Sequence, residues 1–409
     1  MRLIRLFFYF ILLFPYVLSS NYYILVSGSK GNIDIRHQKS IYALYSYLAS
    51  NGVSTDNIIS FCYNNYNATS YDYFHEKYFG VKTRSNKTNF TFDYQKENVT
   101  LDNFIYELNG KGKMGKITLN DNIIVYFNGN GGDSVLGFPN NDLLYSNVFI
   151  EVLINLKKTI NYRKILIIID SSYSGSFALP LLNENLTDIL FITSSKWNEA
   201  TFSMNCITSK NKENCSSNEF TALFINFLNH VNNNKITLNN AFSEIKKEMK
   251  FSTPEIIIHE TNNDYLSDYF PIIQNNLKDD VKVLAHNNYK TSSIKNTEFK
   301  LAYYINFDEI YTIPPSESFF HKELLLNIKT ENFFEALIEI YSLPFQRDIT
   351  KPINFVCLSQ VINEYKSSCV FDLSRDAKYI THFISLCSMR NNNSTIQLSN
   401  HIRNICFNL

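Results

Sequence analysis

Glycine is scarce in this chain. Its 409 residues hold 12 glycines, where an average usage of about 7% would give roughly 29. All of them lie at or before Gly175, so the last 234 residues have none. Where glycine is this rare, each cluster of it marks a backbone that needs it. Net charge is missing as well, with 38 basic against 38 acidic side chains. No excess of cations is available to neutralise a run of phosphates, which excludes an electrostatic nucleic-acid binder. A hydrophobic fraction of 45% excludes intrinsic disorder. Beyond the N-terminus no segment reaches about 18 uninterrupted apolar residues, so no membrane span is expected after the leader. The cysteines include no C-x-x-C pair, and the last four are spaced by 12, 18 and 19. That spacing disfavours zinc and favours bridges. No metal and no cofactor is expected.

What is present begins with a leader. Residues 1–20 carry Arg2 and Arg5, an apolar run and a Ser19-Ser20 end, the layout of a secretory signal peptide. An uncleaved N-terminal anchor is the competing reading. Removing Arg2 and Arg5 leaves 36 basic to 38 acidic side chains, net −2. Acceptor sequons at Asn67, Asn86, Asn89, Asn98, Asn185, Asn392 and Asn393 fit an oxidising, glycosylating compartment. In such a compartment the seven cysteines read as disulfides with one left over.

The hydrophobic pattern alternates short apolar strands with helices. Strands are expected at residues 22–26, 57–62, 122–127, 164–169, 188–193 and 255–259, and helices at 40–51, from 100 to 110, 147–161, 219–231 and 238–249. Nearly continuous apolar strands between helices predict an α/β fold, a mainly parallel sheet with helices on both faces. Ligand and catalytic groups of such sheets gather at the carboxyl ends of strands. The sequences Asn128-Gly129-Asn130-Gly131-Gly132 and Asp170-Ser171-Ser172-Tyr173-Ser174-Gly175 stand at two such ends. A sheet domain is expected over 21–275, a polar linker with a helix over 276–350, and an all-α domain over 351–409.

Residues 122–139 (NIIVYFNGNGGDSVLGFP) and 164–176 (KILIIIDSSYSGS) resemble the two catalytic segments of the legumain, or asparaginyl endopeptidase, family. Val26-Ser27-Gly28-Ser29, Arg36-His37-Gln38 and the late cysteines extend the resemblance over most of the chain. It implies a caspase-like fold with a C-terminal helical prodomain and cysteine proteolysis after asparagine. It also implies bridges Cys357–Cys387, Cys369–Cys406 and Cys206–Cys215, although sequence alone allows three pairings of the late four, and two unrelated thiols are the competing reading of Cys206 and Cys215. The family's catalytic histidine falls on Asn130, its nucleophilic cysteine on Ser172, and an asparagine before Arg-His-Gln on Asp34; Gly131 follows Asn130 in the same loop. The specificity residues fall on Arg36, Asp170 and Glu219.

An amide cannot take a proton at neutral pH, and a serine hydroxyl needs a base within hydrogen-bond reach. Asn130 with Ser172 therefore implies a pseudoprotease, a peptide-binding or regulatory module whose partner is a peptide, a protein or an active relative. The alternatives are an asparaginyl endopeptidase or transpeptidase with a displaced site, a hydrolase using Ser172 with His37 as base, and a purely structural glycoprotein. Arg36 and Asp170 serve either peptide binding or a structural ion pair. Vacuole, lysosome or the extracellular space is the expected location.

Overall fold

The computed structural model describes residues 19–30, 34–63, 91–180, 186–204, 207–209, 212–215, 217–258, 264–272, 317–344, 347–388 and 395–408. Residues 1–18 of the leader, Gly31, Cys206, His259, the stretch 276–297 and the sequons at Asn67, Asn86, Asn89, Asn185, Asn392 and Asn393 lie outside the described residues.

The first half is one sheet built on apolar runs. Its strands are β1 (Asn21–Ser27), β2 (Ile58–Phe61), β3 (Asn122–Asn128), β7 (Lys164–Asp170), β8 (Ile189–Thr193) and β13 (Glu255–Ile258), in the order β13-β8-β7-β3-β1-β2. All neighbours are parallel except β13, which runs antiparallel to β8. The connections are α1 (Ile35–Ser50), α2 (Leu101–Leu108), α3 (Ser146–Thr159), α4 (Ser174–Ala178), α5 (Glu219–His230) and α6 (Leu238–Glu248). Thr100 starts α2 by accepting the Asn103 N–H at 3.2 Å, and Thr237 starts α6 by accepting that of Asn240 at 3.2 Å.

Side chains alternate across a strand, so a sheet covered on both faces needs apolar residues at every position. On β7, Leu166 and Ile168 join the core under α1, α5 and α6. Ile165, Ile167 and Ile169 join the opposite core under α2 and α3. Each fully buried residue of this kind stabilises the fold by about 1.5–3 kcal/mol of transfer free energy.

Between β3 and α3 the chain makes a small antiparallel sheet of β4 (Gly131–Gly132), β5 (Val135–Gly137) and β6 (Leu143–Tyr145). Short pairs β9 (Ser203–Met204) with β12 (Ser217–Asn218), and β10 (Ile207–Ser209) with β11 (Lys212–Asn214), precede α5. The C-terminal region is helical: α7 (Glu317–Tyr341), α8 (Phe355–Ser368), α9 (Leu373–Asp376), α10 (Ile380–Ser388) and α11 (Thr395–Asn408). Phe333, Leu337, Tyr365 and Phe383 fill its core, which also takes Val135 of β5 and Leu143 of β6. Disulfides Cys357–Cys387 and Cys369–Cys406 staple it, tying α8 to α10 and the residue after α8 to α11. Among the described residues, no helix is long and apolar enough to cross a membrane.

Candidate active site

Strand register brings the site together. Ser27 of β1 stands level with Asn128 of β3, and Asn128 level with Asp170 of β7. The next residues of all three strands emerge side by side. Gly28 N–H donates to the Asn128 carbonyl at 2.9 Å, and Gly129 N–H to that of Asp170 at 3.3 Å. A Cβ on Gly28 would strike the Gly137 carbonyl and the Phe127 ring. One on Gly131 would strike the Ser171 hydroxyl and the Ser172 carbonyl. The rare glycines are used here because three backbones approach too closely for side chains.

Asn130 leaves β3 and turns its amide toward the start of α1, where Nδ2 donates to Asp34 Oδ2 at 2.9 Å. Ser172 leaves β7 in the turn before α4, and Tyr173 follows it in the left-handed region at φ 61°. The Ser172 hydroxyl accepts the Thr201 N–H at 3.0 Å and lies 3.4 Å from the Thr201 hydroxyl. Among the described residues these are its hydrogen-bond partners, and neither is a base. His37 is buried, with Nδ1 2.8 Å from the Ser29 hydroxyl. Burial, and then the neighbouring Arg36 charge, hold its pKa well below 6.5.

Arg36 and Asp170 are linked through a third residue. The guanidinium Nη1 lies 3.2 Å from Asp34 Oδ1, while Nε donates to Asn218 Oδ1 at 3.1 Å. Asn218 Nδ2 in turn donates to Asp170 Oδ1 at 3.2 Å. Asn128 Nδ2 (3.1 Å), Thr221 N–H (3.2 Å) and the Thr221 hydroxyl donate to Asp170 Oδ2. Burial raises the Asp170 pKa, partly offset by the Thr221, Asn218 and Ser194 hydrogen bonds. Glu219 points elsewhere, its carboxylate accepting the Lys250 N–H at 2.8 Å and the Phe251 N–H at 3.2 Å.

A parallel sheet carrying a polar cluster at the ends of β1, β3 and β7 now meets a family model, that of the Peptidase C13 family, which matches residues 21–299. The chain belongs to the Peptidase C13 family. It is similar to the vacuolar-processing enzyme delta-isozyme of Arabidopsis thaliana, 23% identical over 90% of this chain and 86% of the relative. It is 29% identical to a hemoglobinase of Schistosoma japonicum over 45% of this chain and 44% of the relative. With the legumain of Canavalia ensiformis it shares 30% identity over 45% of this chain and 40% of the relative. The chain thus spans under half the length of the hemoglobinase and the legumain it matches.

Within this C13 fold the structure brings together Asp34, Arg36 and Asn130 as one hydrogen-bonded group, with Asp170 joined through Asn218. Gly131 packs under Ser171 and Ser172. Glu219 neighbours Asp170 electrostatically but makes its hydrogen bonds to the loop after α6. Cys215 lies between β11 and β12, and its expected partner Cys206 is outside the described residues. Asn128, Thr201, Asn218 and Thr221 belong to the site although sequence reasoning did not select them. Asn128 directly follows the third strand expected at 122–127, ends the observed β3, and was legible as a strand-end polar residue. Asn218 and Thr221 flank Glu219 with no distinguishing spacing.

The C-terminal helices of this C13 chain sit on β4–β6, the hairpin that grows out of Asn130. A Cβ on Gly132 would meet Ile380, and one on Gly137 would meet Leu373. Lys366 Nζ donates to the Asn141 carbonyl at 2.7 Å. Arg347 Nε lies 2.6 Å from Asp133 Oδ2, with both side chains almost fully buried.

Proposed function

We propose that this chain is a non-cleaving member of the C13 family, a peptide-binding or regulatory module of the secretory pathway that acts in a vacuole, a lysosome or outside the cell. Its partner is a peptide, a protein or an active relative. The observation that carries the reading is the pair of roles taken at the strand ends. Asn130 commits its amide to Asp34, and Ser172 is held by the Thr201 N–H and hydroxyl, with no imidazole or carboxylate hydrogen-bonded to it among the described residues. Deprotonating a serine hydroxyl without a base leaves only oxyanion and binding effects, about 10³–10⁴ over water in serine-protease sites stripped of their triad. The names of the relatives, a vacuolar-processing enzyme and a legumain among them, support the compartment.

The test is turnover. Purified protein is incubated with fluorogenic asparaginyl peptides between pH 4 and 7, beside a Ser172→Ala variant. The expected result is no turnover by either protein, and equal turnover by both would overturn the reading in favour of an endopeptidase with a displaced site. Turnover lost on Ser172→Ala would overturn the reading in favour of a serine-nucleophile hydrolase.

A further inference from the structure

The end of the leader reads Val17-Leu18-Ser19-Ser20-Asn21, and leader cleavage requires a small residue just before the bond that is cut. Ser19 and Ser20 are the small residues of this stretch, so the candidate bonds are Ser19–Ser20 and Ser20–Asn21. The fold separates them. Ser20 already belongs to the sheet. Its carbonyl accepts the Asn122 N–H at 3.0 Å, beside the pairing of Asn21 with Asn122. Its own N–H donates to Asp121 Oδ1 at 2.7 Å. Oδ2 of the same carboxylate accepts the Thr118 N–H at 2.8 Å and the Thr118 hydroxyl at 2.7 Å. Asp121 is 4% exposed, and among the described residues Ser20 supplies the donor to Oδ1. Ser19 stands outside this group, exposed, with its hydroxyl on the Asn120 carbonyl at 2.7 Å.

We propose that the leader is cut between Ser19 and Ser20, and that the α-ammonium so formed is held by Asp121 as a charged anchor for β1. A signal peptidase of the host adds water across that one peptide bond, leaving a carboxylate on Ser19 and an amine on Ser20. An α-amine titrates near ~8, so it is protonated at neutral pH and below. It stands where the neutral N–H stood, and a buried carboxylate oxygen gains a cationic donor. Cutting after Ser20 would instead take the Ser20 N–H from Asp121 Oδ1 and the Ser20 carbonyl from the Asn122 N–H. Both are buried positions, and groups left unmatched there destabilise the fold. Because β1 lies between β3 and β2, the anchor fixes a strand inside the sheet. The inference rests on the proposed secretory route and not on the loss of peptide cleavage.

The full chain, leader included, is expressed in a secreting eukaryotic host, and the N-terminus of the product is read by mass spectrometry. The expected product begins at Ser20. A start at Asn21, or at any other residue inside the chain, overturns the inference alone. A product that keeps Met1 overturns it together with the secretory route. The anchor is tested by inserting a glycine between Ser19 and Ser20, which carries the ammonium one residue away and keeps the Ser20 N–H. In urea titrations the insertion is expected to weaken the folding equilibrium by about fivefold, the difference between a charged and a neutral donor. In an Asp121→Asn background, where no carboxylate remains, the insertion is expected to change nothing. Equal losses in the two backgrounds, or no loss in the natural one, overturn the anchor. Asp121→Ser takes the place of Asp121→Asn, with the same expectation, if that variant does not fold.

Discussion

His37 is 2% exposed, and its ring nitrogen is matched to the Ser29 hydroxyl at 2.8 Å. Burial and the Arg36 charge keep the ring neutral in the folded chain. In the unfolded chain it would take a proton below about pH 6.5. Its folded pKa is depressed, so its contribution to stability is complete above that value and declines as pH falls below it. The buried acids act in the opposite sense. Burial raises the pKa values of Asp133, Asp170 and Glu219, so the folded chain holds these protons to higher pH than the unfolded chain. Their effect is to favour folding as pH drops through the raised range. A His37→Gln variant keeps a hydrogen-bonding partner for Ser29 and cannot charge. The stability gap between the natural chain and the variant should narrow from pH 7.5 to pH 5.5 in urea titrations. A gap that stays constant with pH would show that His37 does not titrate on unfolding.

The β4–β6 hairpin depends on what lies beneath it. Gly131 pairs with Leu136 of β5 while its Cα faces Ser171 and Ser172. A methyl group has no room there, and forcing one in costs about 1–3 kcal/mol. Gly131→Ala is therefore expected to lower the melting temperature. Its crowding should displace the turn carrying Ser172, visible as faster amide exchange at Tyr173 and Gly175. An unchanged melting temperature would mean that the strand ends are not in contact. The main sheet was legible because apolar runs such as residues 164–169 specify strands by themselves. This hairpin was not, since its short Gly- and Asn-rich pieces gain their order from neighbours. The antiparallel sense of β13 was also hidden, because an apolar run reads the same in either direction.

Across the whole molecule, Arg347 and Asp133 join the helical region to the hairpin beside Asn130, 2.6 Å apart and buried. Truncating one member strands the other charge in a dry interface, which costs about 3–5 kcal/mol. Arg347→Met should destabilise the chain by an amount of that order. Arg347→Met with Asp133→Asn should recover most of it, because no unpaired charge remains. Denaturant midpoints of the three proteins decide the point, and equal losses in the single and double variants would show that the ion pair is unimportant. Intact docking keeps the helices over the Asn130 side of the site.

The sequence by itself determined the alternation of strands and helices, the strand ends at which polar residues gather, and, through family resemblance, the two late disulfides that the structure contains. These are local properties: side-chain period, helix caps and close-approach glycines are written within a few residues of where they act. Only the tertiary structure decided that Glu219 turns to the Lys250 and Phe251 N–H groups while its neighbour Asn218 lies between Arg36 and Asp170. Adjacent residues at a helix start point in different directions, and which of them enters a site depends on how the helix is seated against the sheet. That seating is fixed by the packing of Phe220, Phe224 and Phe242 under α5 and α6. The packing is a sum of many distant contacts, and no short stretch of sequence records it.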